Sequence, residues 1–432
     1  MTPVGSSPAP PAGRAPNPEP RAPNPEPRAR GFGPRTTDHG PRLSWASPLP
    51  PTRSGVADYA AEVLPHLARA ASVTLIEPPG WAPSGAPAWL AGLQRAPHDA
   101  STAPAVAPLL HLGNNPYHLW IAKRLRAAGG IVVLHDSVLH HLLVEEAAAD
   151  GDWKRFADEM TLAHGAGGAA LAAARAWGFA GRLDPFMFPA RSALLGRAEA
   201  VIVHNRRAES DVRRACPGLP VRCVPLAVGA MPGGDRAAWR ARLGVAGDEL
   251  LLVHLGFLTP AKGLEVIVRG VAALAQLRIG VRLVVVGEGS EAGAFARAVD
   301  ALGLGTLVRS WGWASDEELG GVLAAADLGL VPRYPTAGET SAAALRFLAA
   351  GTPVAVAGYL QFLELPPAAA VRVAPGHAGV PDLVRAVVAL AGPEARSASR
   401  DAARRAWVDG GHEPARAAAA LLRAVRELRP TA

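Results

Sequence analysis

The stretch that decides the fold is residues 331–354, VPRYPTAGETSAAALRFLAAGTPV. An apolar run ends at Pro332 and a polar loop follows it. Thr340 or Ser341 can cap a helix, which Gly351 ends just before a second apolar run. A strand, a loop, a helix and a strand in this order form one unit of a parallel α/β sheet. The helix start suits a phosphate, although an ordinary capped helix explains the same residues.

The same unit repeats on both sides of this stretch. The candidate strands are Leu43–Ala46, Val73–Ile76, Leu109–Leu112, Ile131–Leu134, Val201–Val203, Val221–Val224, Leu250–Leu255, Val281–Val286, Leu307–Ser310, Leu328–Val331, Val354–Ala357 and Val371–Val373. Short Val, Ile and Leu runs between Ala-rich helical patterns are typical of parallel strands buried on both faces. The pattern restarts after a linker at residues 226–235. We therefore predict an α/β protein with two Rossmann-like, doubly wound domains that face each other across a cleft.

The composition shift along the chain predicts the domain boundaries. Residues 1–42 contain twelve prolines and are predicted to be a disordered tail, because such a segment buries too little surface to offset its ordering entropy. Residues 43–228 and 229–393 are the two predicted domains. The Ala- and Arg-rich residues 394–432 are predicted to be a C-terminal helical segment.

The charge and cysteine content exclude several classes of protein. The net charge is +7, but the basic residues are dispersed, so nucleic acid is not an expected partner. The mild excess favours anionic substrates or an anionic membrane surface. Cys216 and Cys223 are interpreted as reduced thiols rather than as a loop disulfide. The chain has no apolar run of about 18 residues, and its proline-rich start lacks the apolar core expected of a signal peptide, so none is expected. We expect a cytoplasmic protein, with peripheral association at the inner face of the membrane left open.

Six ordered segments carry a resemblance to a known family. They are residues 47–68 (SPLPPTRSGVADYAAEVLPHLA), 111–118 (HLGNNPYH), 132–136 (VVLHD), 201–205 (VIVHN), 256–263 (GFLTPAKG) and 331–366, which contains RYPTAGETS. They resemble the retaining enzymes of glycosyltransferase family 4, which have the GT-B fold. The resemblance implies transfer of a sugar from a nucleotide-sugar to a glycan or lipid-linked acceptor with retention of configuration. The implied setting is cell-envelope or polysaccharide biosynthesis.

The resemblance also implies roles for individual residues. His135 and Glu339 would be catalytic, and Lys262 would pair with the donor diphosphate. The N-terminal domain would bind the acceptor and the C-terminal domain the donor. The other donor-binding residues would be Gly55, Arg333, Gly338, Thr340, Ser341 and Glu364, and the acceptor-side residues would be Asn115 and Tyr117. No metal is expected, and no cofactor other than the donor substrate.

Local alternatives remain open for some of these residues. His135 could be a turn residue beside Asp136, and a metal site there is disfavoured because the spacing matches no ligand pattern. Asn115 and Tyr117 could simply shape an Asn-Pro turn. Glu364 is predicted to contact the ribose or base, or else to cap the turn that precedes the next proline.

Two positions depart from the family pattern. Many members carry a second glutamate, which contacts the ribose, where this chain has Arg346, and an arginine where it has Phe257. We expect Arg346 to face the diphosphate or to pack at the helix edge. These departures leave a non-catalytic GT-B partner protein as the alternative function. A dinucleotide-dependent oxidoreductase is disfavoured, because no complete G-x-G-x-x-G follows a first strand.

Overall fold

The computed structural model describes residues 41–82, 84, 87–101 and 106–429. Apart from its last two residues, the predicted tail lies outside them. The strands are β1 (Arg42–Ala46), β2 (Ser72–Ile76), β3 (Gln94–Ala96), β4 (Ala107–Leu112), β5 (Ile131–Leu134), β6 (Ala200–Val203), β7 (Val221–Cys223), β8 (Leu250–Leu255), β9 (Val281–Val286), β10 (Val308–Gly312), β11 (Leu328–Val331), β12 (Val354–Ala357) and β13 (Ala370–Val373).

Helices connect these strands. They are α1 (Gly55–Leu67), α2 (Leu119–Ala128), α3 (His140–Asp150), α4 (Trp153–Ala176), α5 (Asp184–Met187), α6 (Arg191–Leu195), α7 (Arg206–Ala215), α8 (Arg236–Arg242), α9 (Leu264–Gln276), α10 (Ala292–Ala301), α11 (Asp316–Ala325), α12 (Ala342–Ala349), α13 (Val380–Ala389), α14 (Pro393–Asp409) and α15 (Pro414–Leu428). None of the helices in the described residues has both the length and the hydropathy needed to cross a bilayer.

The strands form two parallel sheets. The first has the order β3-β2-β1-β4-β5-β6-β7 and the second the order β10-β9-β8-β11-β12-β13. In each sheet the strand order reverses beside the first strand, which places a crevice at the carboxyl ends of the strands. The predicted fold class, two Rossmann-like parallel-sheet domains with a C-terminal helix, is confirmed.

The apolar runs become strands because both faces of each sheet are covered by helices. Every residue of β5 and β6 is buried, and one core joins the facing sides of both sheets. The predicted bounds of β5, β8, β9, β11 and β12 match the structure. The short edge strand β3, Gln94–Ala96, is absent from the prediction because it is polar and largely exposed.

Polar caps start several helices at the carboxyl edges of the sheets. The Ser54 hydroxyl accepts a hydrogen bond from Val56 N in the first turn of α1. Asn205 caps α7, and Ser341 caps α12 through a bond from Ala344 N. Each such cap contributes about 1 kcal/mol to helix stability. These caps hold the helix starts beside the crevice.

The two C-terminal helices pack on different domains. Helix α14 packs against α12 and α15 packs against α1, so the chain returns to the first domain. The two passages between the domains are bonded to each other. Val228 N donates to His412 O at 2.9 Å, and His412 Nδ1 donates to Leu226 O at 2.9 Å. Trp407 Nε1 also donates to Val228 O at 2.9 Å.

Candidate active site

The candidate site lies where the carboxyl edges of the two sheets meet. In the first domain, His135 follows β5 and His204 follows β6. In the second domain, Lys262 follows β8 and the loop 333–341 follows β11. Because carboxyl ends of parallel strands share one edge of a sheet, these residues are brought together although they are far apart in the chain.

The loop 333–341 lies directly against the first domain at Gly338. Ser137 N and Val138 N donate to Ala337 O at 2.7 and 3.0 Å. Gly338 has φ +80°, and a Cβ added there would lie 2.6 Å from the Cβ of Ser137. Glycine is therefore required here both for its backbone conformation and for the close approach of the two domains.

Asn205 and Thr340 form a second bridge between the domains. The amide Nδ2 of Asn205 donates to Gly338 O at 3.0 Å and to Thr340 Oγ1 at 2.9 Å. The Thr340 hydroxyl donates in turn to His204 O at 2.9 Å. These two hydrogen bonds occupy the Thr340 hydroxyl. In this conformation Thr340 would therefore contact a nucleotide-sugar through its backbone.

Thr336 and Gln361 hold Glu339 in position. The Thr336 hydroxyl donates to Glu339 Oε2 at 2.8 Å and accepts from Gly338 N at 3.2 Å. Gln361 Nε2 donates to Thr336 Oγ1 at 2.7 Å and to Glu339 O at 3.0 Å. The other carboxylate oxygen of Glu339 pairs with Arg333. The carboxylate is thus fixed in orientation before any substrate binds.

Two largely buried cations meet in this region. Burial lowers the pKa of Lys262 well below its ordinary value, and repulsion by Arg333 adds to this effect while Asp136 opposes it. Burial likewise lowers the pKa of Arg333, again opposed by Asp136. Within the described residues Lys262 Nζ forms no hydrogen bond or ion pair, although it lies beside Gly256. An anionic ligand would relieve this unbalanced positive charge.

Asp136 is the carboxylate that the first domain places near these cations. Burial raises its pKa, while a 2.9 Å hydrogen bond from Asn114 N and the charges of Arg333 and Lys262 oppose that rise. The sequence motifs assign Asp136 no role of its own beside His135. Its position immediately after a buried strand was the signal that could have identified it.

A group of histidines lies on the first-domain side. His111 Nδ1 is 3.0 Å from His135 Nε2, His118 Nδ1 donates to His111 O at 2.9 Å, and His204 Nδ1 donates to Val224 O at 3.3 Å. Burial is the main cause that lowers the pKa of each, to about 4 for His118 and His204. The pKa values of His111 and His135 are lowered well below the ordinary value. The four imidazoles are therefore neutral near pH 7.

The contact between His111 and His135 restricts their tautomers. The Nε2 atom of His111 is buried and has no partner among the described residues. If His135 donated to His111, that Nε2 would carry a buried N–H without an acceptor, which is the costlier arrangement. We therefore assign the shared proton to His111 Nδ1. His135 then carries its own proton on Nδ1, which makes no hydrogen bond within the described chain.

Gly55 and Ser341, two predicted donor-binding residues, lie at helix starts. Gly55 is the exposed first residue of α1, and a Cβ added to it would meet no atom within 4 Å. The Ser341 hydroxyl accepts from Ala344 N at 3.2 Å. Their donor-binding roles remain predictions.

Glu364 contacts the first domain. Its two carboxylate oxygens accept hydrogen bonds from Arg206 N at 2.9 Å and Arg207 N at 2.8 Å, at the start of α7. A ribose or base contact by Glu364 would require these bonds to open. That contact remains a prediction.

Asn115 and Tyr117 lie in the turn after β4. The side chain of Asn115 accepts from Tyr117 N at 3.1 Å, so these residues do shape an Asn-Pro turn. Tyr117 is exposed beyond that turn. Contact with an acceptor is compatible with this exposure and remains a prediction.

The two residues that depart from the family pattern, Arg346 and Phe257, each have a defined contact in the structure. Arg346 pairs with Glu62 at 3.2 Å and lies 3.9 Å from Asp58, both on α1 of the first domain. Phe257 lies beside Trp313, and the guanidinium of Arg53 stacks on that indole at 4.5 Å. Arg346 therefore contacts the first domain, whereas Phe257 lies beside an indole of its own domain on which a first-domain guanidinium stacks.

Comparison with known proteins agrees with this architecture. Sucrose-phosphate synthase from Thermosynechococcus elongatus has the same fold, with a TM-score of 0.64 at 17% identity over 90% of this chain and 100% of that protein. Anabaena HepE in complex with UDP and glucose matches with a TM-score of 0.57 at 15% identity over 90% and 100% of the two chains. The chain therefore has the GT-B fold of two facing Rossmann-like domains.

The second domain also matches by sequence. Residues 249–392 match the family described as "Glycosyl transferases group 1". D-inositol 3-phosphate glycosyltransferase from Segniliparus rotundus is 34% identical over 128 residues, which cover 29% of this chain and 28% of that protein. This chain thus spans about a quarter of the length of the curated relative that it matches. The second domain is therefore similar in sequence to group 1 glycosyltransferase domains.

Proposed function

We propose that this protein is a retaining glycosyltransferase that transfers a sugar from a nucleotide-sugar to a hydroxyl acceptor. The observation that carries the proposal is the meeting of Lys262, Arg333 and Glu339 from the group 1 domain with His135 from the facing domain. Two cations in a crevice suit a diphosphate, while a carboxylate and a neutral imidazole suit sugar hydroxyls. The acceptor would be a glycan or lipid-linked sugar in cell-envelope or polysaccharide biosynthesis.

Donor binding would change the partners of these charges. Lys262 has no partner among the described residues and would pair with the diphosphate directly. Arg333 pairs with Glu339 in the structure. When phosphate occupies the crevice, the arginine would turn to it, and Glu339 would accept hydrogen bonds from the sugar. A carboxylate facing the phosphate would be repelled, so this exchange of partners also selects the orientation of the donor.

The proposed reaction is a same-face displacement. The bond from the anomeric carbon to the phosphate oxygen breaks, and the acceptor hydroxyl oxygen bonds to that carbon on the same face. The hydroxyl proton passes to the departing phosphate oxygen, so a nucleoside diphosphate leaves. Lys262 and Arg333 would stabilise the charge that develops on the leaving group, and the Nδ1–H of His135 would donate a hydrogen bond to the donor sugar without transferring its proton.

A nucleotide screen by thermal shift tests the donor part of this proposal. UDP, GDP, ADP, TDP and their sugars are added separately to the full chain. A ligand at about 100 times its Kd adds about 2.7 kcal/mol to stability. We expect one nucleotide class to raise Tm in wild type and much less in Lys262→Ala. Lys154→Ala, which removes an exposed lysine that pairs with Asp158, is the matched control. No shift with any nucleotide would contradict the proposal.

The alternative is a non-catalytic GT-B protein that acts as a partner in such a pathway. Phe257, in place of a phosphate-binding arginine, is the observation that favours it. Donor hydrolysis separates the two functions, since a glycosyltransferase slowly passes its donor sugar to water in the absence of acceptor. Tight nucleotide-sugar binding without any hydrolysis or transfer would support the partner role.

A further inference from the structure

The largest concentration of exposed apolar side chains lies in one hairpin of the first domain. We name residues 162–188 the apolar hairpin. It comprises the second part of α4, the turn that follows, and the return through α5. The four most exposed large apolar side chains in the described residues all lie here: Trp177 at 82%, Leu162 at 72%, Phe179 at 71% and Met187 at 69%. Such clustering marks an interaction surface rather than scattered surface residues.

The local structure explains why these side chains are exposed. Helix α4 buries only one stripe, which includes Gly168 and Ala172, and its other side is mostly Ala and Gly. The helix is interrupted at Gly165 and ends at Trp177, where Phe179 N bonds back to Ala174 O at 3.0 Å. The tip of the hairpin therefore presents two aromatic rings from a short and well-bonded turn.

The charges in the hairpin favour an anionic partner. No Asp or Glu occurs between Glu159 and Asp184, a stretch that contains Arg175 and Arg182. Neither arginine has a carboxylate within ion-pair distance in the part of the chain that the structure describes. Asp184 is used internally, since its carboxylate accepts from Gly181 N at 2.6 Å. Aromatic side chains flanked by arginines are the pattern of a segment that lies in the interface of an anionic bilayer.

The apolar hairpin is joined to the candidate active site. Pro189 O accepts from Leu139 N at 2.8 Å, and Phe188 O accepts from His140 Nδ1 at 2.9 Å. Residues 137 and 138 are themselves bonded to Ala337 in the donor loop. The base of the apolar hairpin therefore lies beside the first-domain side of the cleft, where the acceptor is expected.

We propose that the apolar hairpin is a docking surface for an anionic lipid bilayer. Trp177 and Phe179 enter the interface, and Arg175 and Arg182 contact the lipid phosphates. An enzyme docked on the bilayer would bind a lipid-linked acceptor while the lipid remains in the bilayer. This last consequence rests on the proposed function, whereas bilayer binding itself does not.

Vesicle flotation tests the proposal on the full chain without any substrate. Vesicles of phosphatidylglycerol and phosphatidylcholine are compared with vesicles of phosphatidylcholine alone. We expect wild type to bind the anionic vesicles, and W177S/F179S to bind them at least about tenfold more weakly, because binding scales with inserted apolar area. R175Q/R182Q should weaken binding by about tenfold and reduce its salt dependence. The matched control is L277S/L302S, which removes two exposed leucines of the second domain.

Three outcomes would overturn the proposal. Wild type could fail to float with anionic vesicles, or W177S/F179S could bind like wild type while its circular dichroism and Tm are unchanged. Light scattering could instead show a wild-type dimer that W177S/F179S converts to monomer without any vesicle binding, which would assign the surface to a second copy. Vesicle binding by a chain that uses no nucleotide-sugar would leave this proposal standing and contradict only the proposed function.

Discussion

The two sheet edges that face each other at the candidate site differ in their chemistry. The first domain supplies neutral imidazoles, chiefly His111, His135 and His204, whose pKa values burial lowers. The second domain supplies the cations Lys262 and Arg333, and Glu339 is the ion-pair partner of Arg333. Cations bind phosphate whichever sugar is attached to it, whereas hydrogen bonds from fixed neutral groups favour one orientation of the bound sugar. Under the proposed function, donor affinity would come mainly from the second-domain edge, and positioning of the sugar would come from both edges.

The largest effect is expected where the two edges act together on the sugar. Glu339→Gln and His135→Ala should each lower turnover by about 100-fold or more, since each group positions the substrate or stabilises the transition state. Folding should remain largely intact. The rate with a donor already shown to be used is the measurement. NMR of the first-formed product gives the anomeric configuration, and an inverted linkage would contradict the proposed mechanism.

Removing a cation should affect binding more than positioning. Lys262→Ala should weaken donor binding by about 1.5–3 kcal/mol, the value of a charge-assisted contact. Lys262→Arg should restore only part of the loss, because the guanidinium is larger and planar. Titration calorimetry with the best nucleotide gives the affinities. If the Ala variant binds as tightly as wild type, the diphosphate lies elsewhere.

Lowering the pH should reduce the stability of the first domain, whose sheet edge is rich in histidines, more than that of the second domain. Unfolded histidine has a pKa near 6.5, whereas burial lowers that of folded His118 and His204 to about 4. Between these values only the unfolded chain binds the protons, so stability falls as pH decreases from about 6.5 to about 4. The slope is at most about 1.4 kcal/mol per pH unit for each histidine.

Hydrogen exchange at several pH values measures this acid effect. Amides of β4 to β6 should lose more protection than those of β8 and β11 as the pH falls, because the first domain holds several buried histidines of lowered pKa and β8 holds only His254, whose pKa burial lowers to about 4. His118→Gln should flatten the pH dependence, and the exposed His377→Gln serves as its control. Equal loss of protection in both sheets would show that the histidines do not distinguish the two domains.

The assigned tautomer of His135 predicts a smaller effect within the first edge. His111→Leu removes the N–H that we assign as donor to His135 Nε2, and should lower turnover by about tenfold. His111→Asn can supply an amide N–H in the same place and should restore most of the rate. Nitrogen NMR of the free protein reports the tautomer independently of activity. A proton found on His135 Nε2 in wild type would contradict the assignment.

The smallest effect is expected at the ion pair between the domains. Arg346→Gln should lower Tm by about 2–4 °C, which corresponds to about 1 kcal/mol, and change donor affinity less than threefold. The control is Arg416→Gln, which removes the exposed partner of Glu413. If donor affinity falls as far as in Lys262→Ala, Arg346 turns to the diphosphate when the donor binds.

The sequence predicts this fold well because its decisive features are local. Buried strands such as β5 and β9 are continuous runs rich in Val and Ile or Leu, His135 follows β5 directly, and Lys262 lies in the loop after β8, so their placement at the sheet edges could be predicted. The bracing of Glu339 by Thr336 and Gln361 could not, because it depends on how separate loops fold against each other.

Contacts between the domains were the hardest to predict. Arg346 and Glu62 are far apart in the chain, and Glu364 bonds to the start of α7 rather than to its own turn. No local pattern reports the relative placement of two sheets. The exposure of Trp177 and Phe179 could not be predicted either, because a sequence does not show that no further apolar layer covers this part of a helix.

The double passage of the chain between the domains limits how they can move. Two domains joined by one chain passage can rotate relative to each other about any axis. Two domains joined by two neighbouring passages rotate mainly about the line that connects those passages. The bonds of His412 to Val228 and Leu226 keep those two points together. Opening and closing of the cleft would then be a rotation of one domain about a single axis. Ser137 would then meet Gly338 at the same place each time the cleft closes, and the close fit at that glycine would limit how far the domains can close.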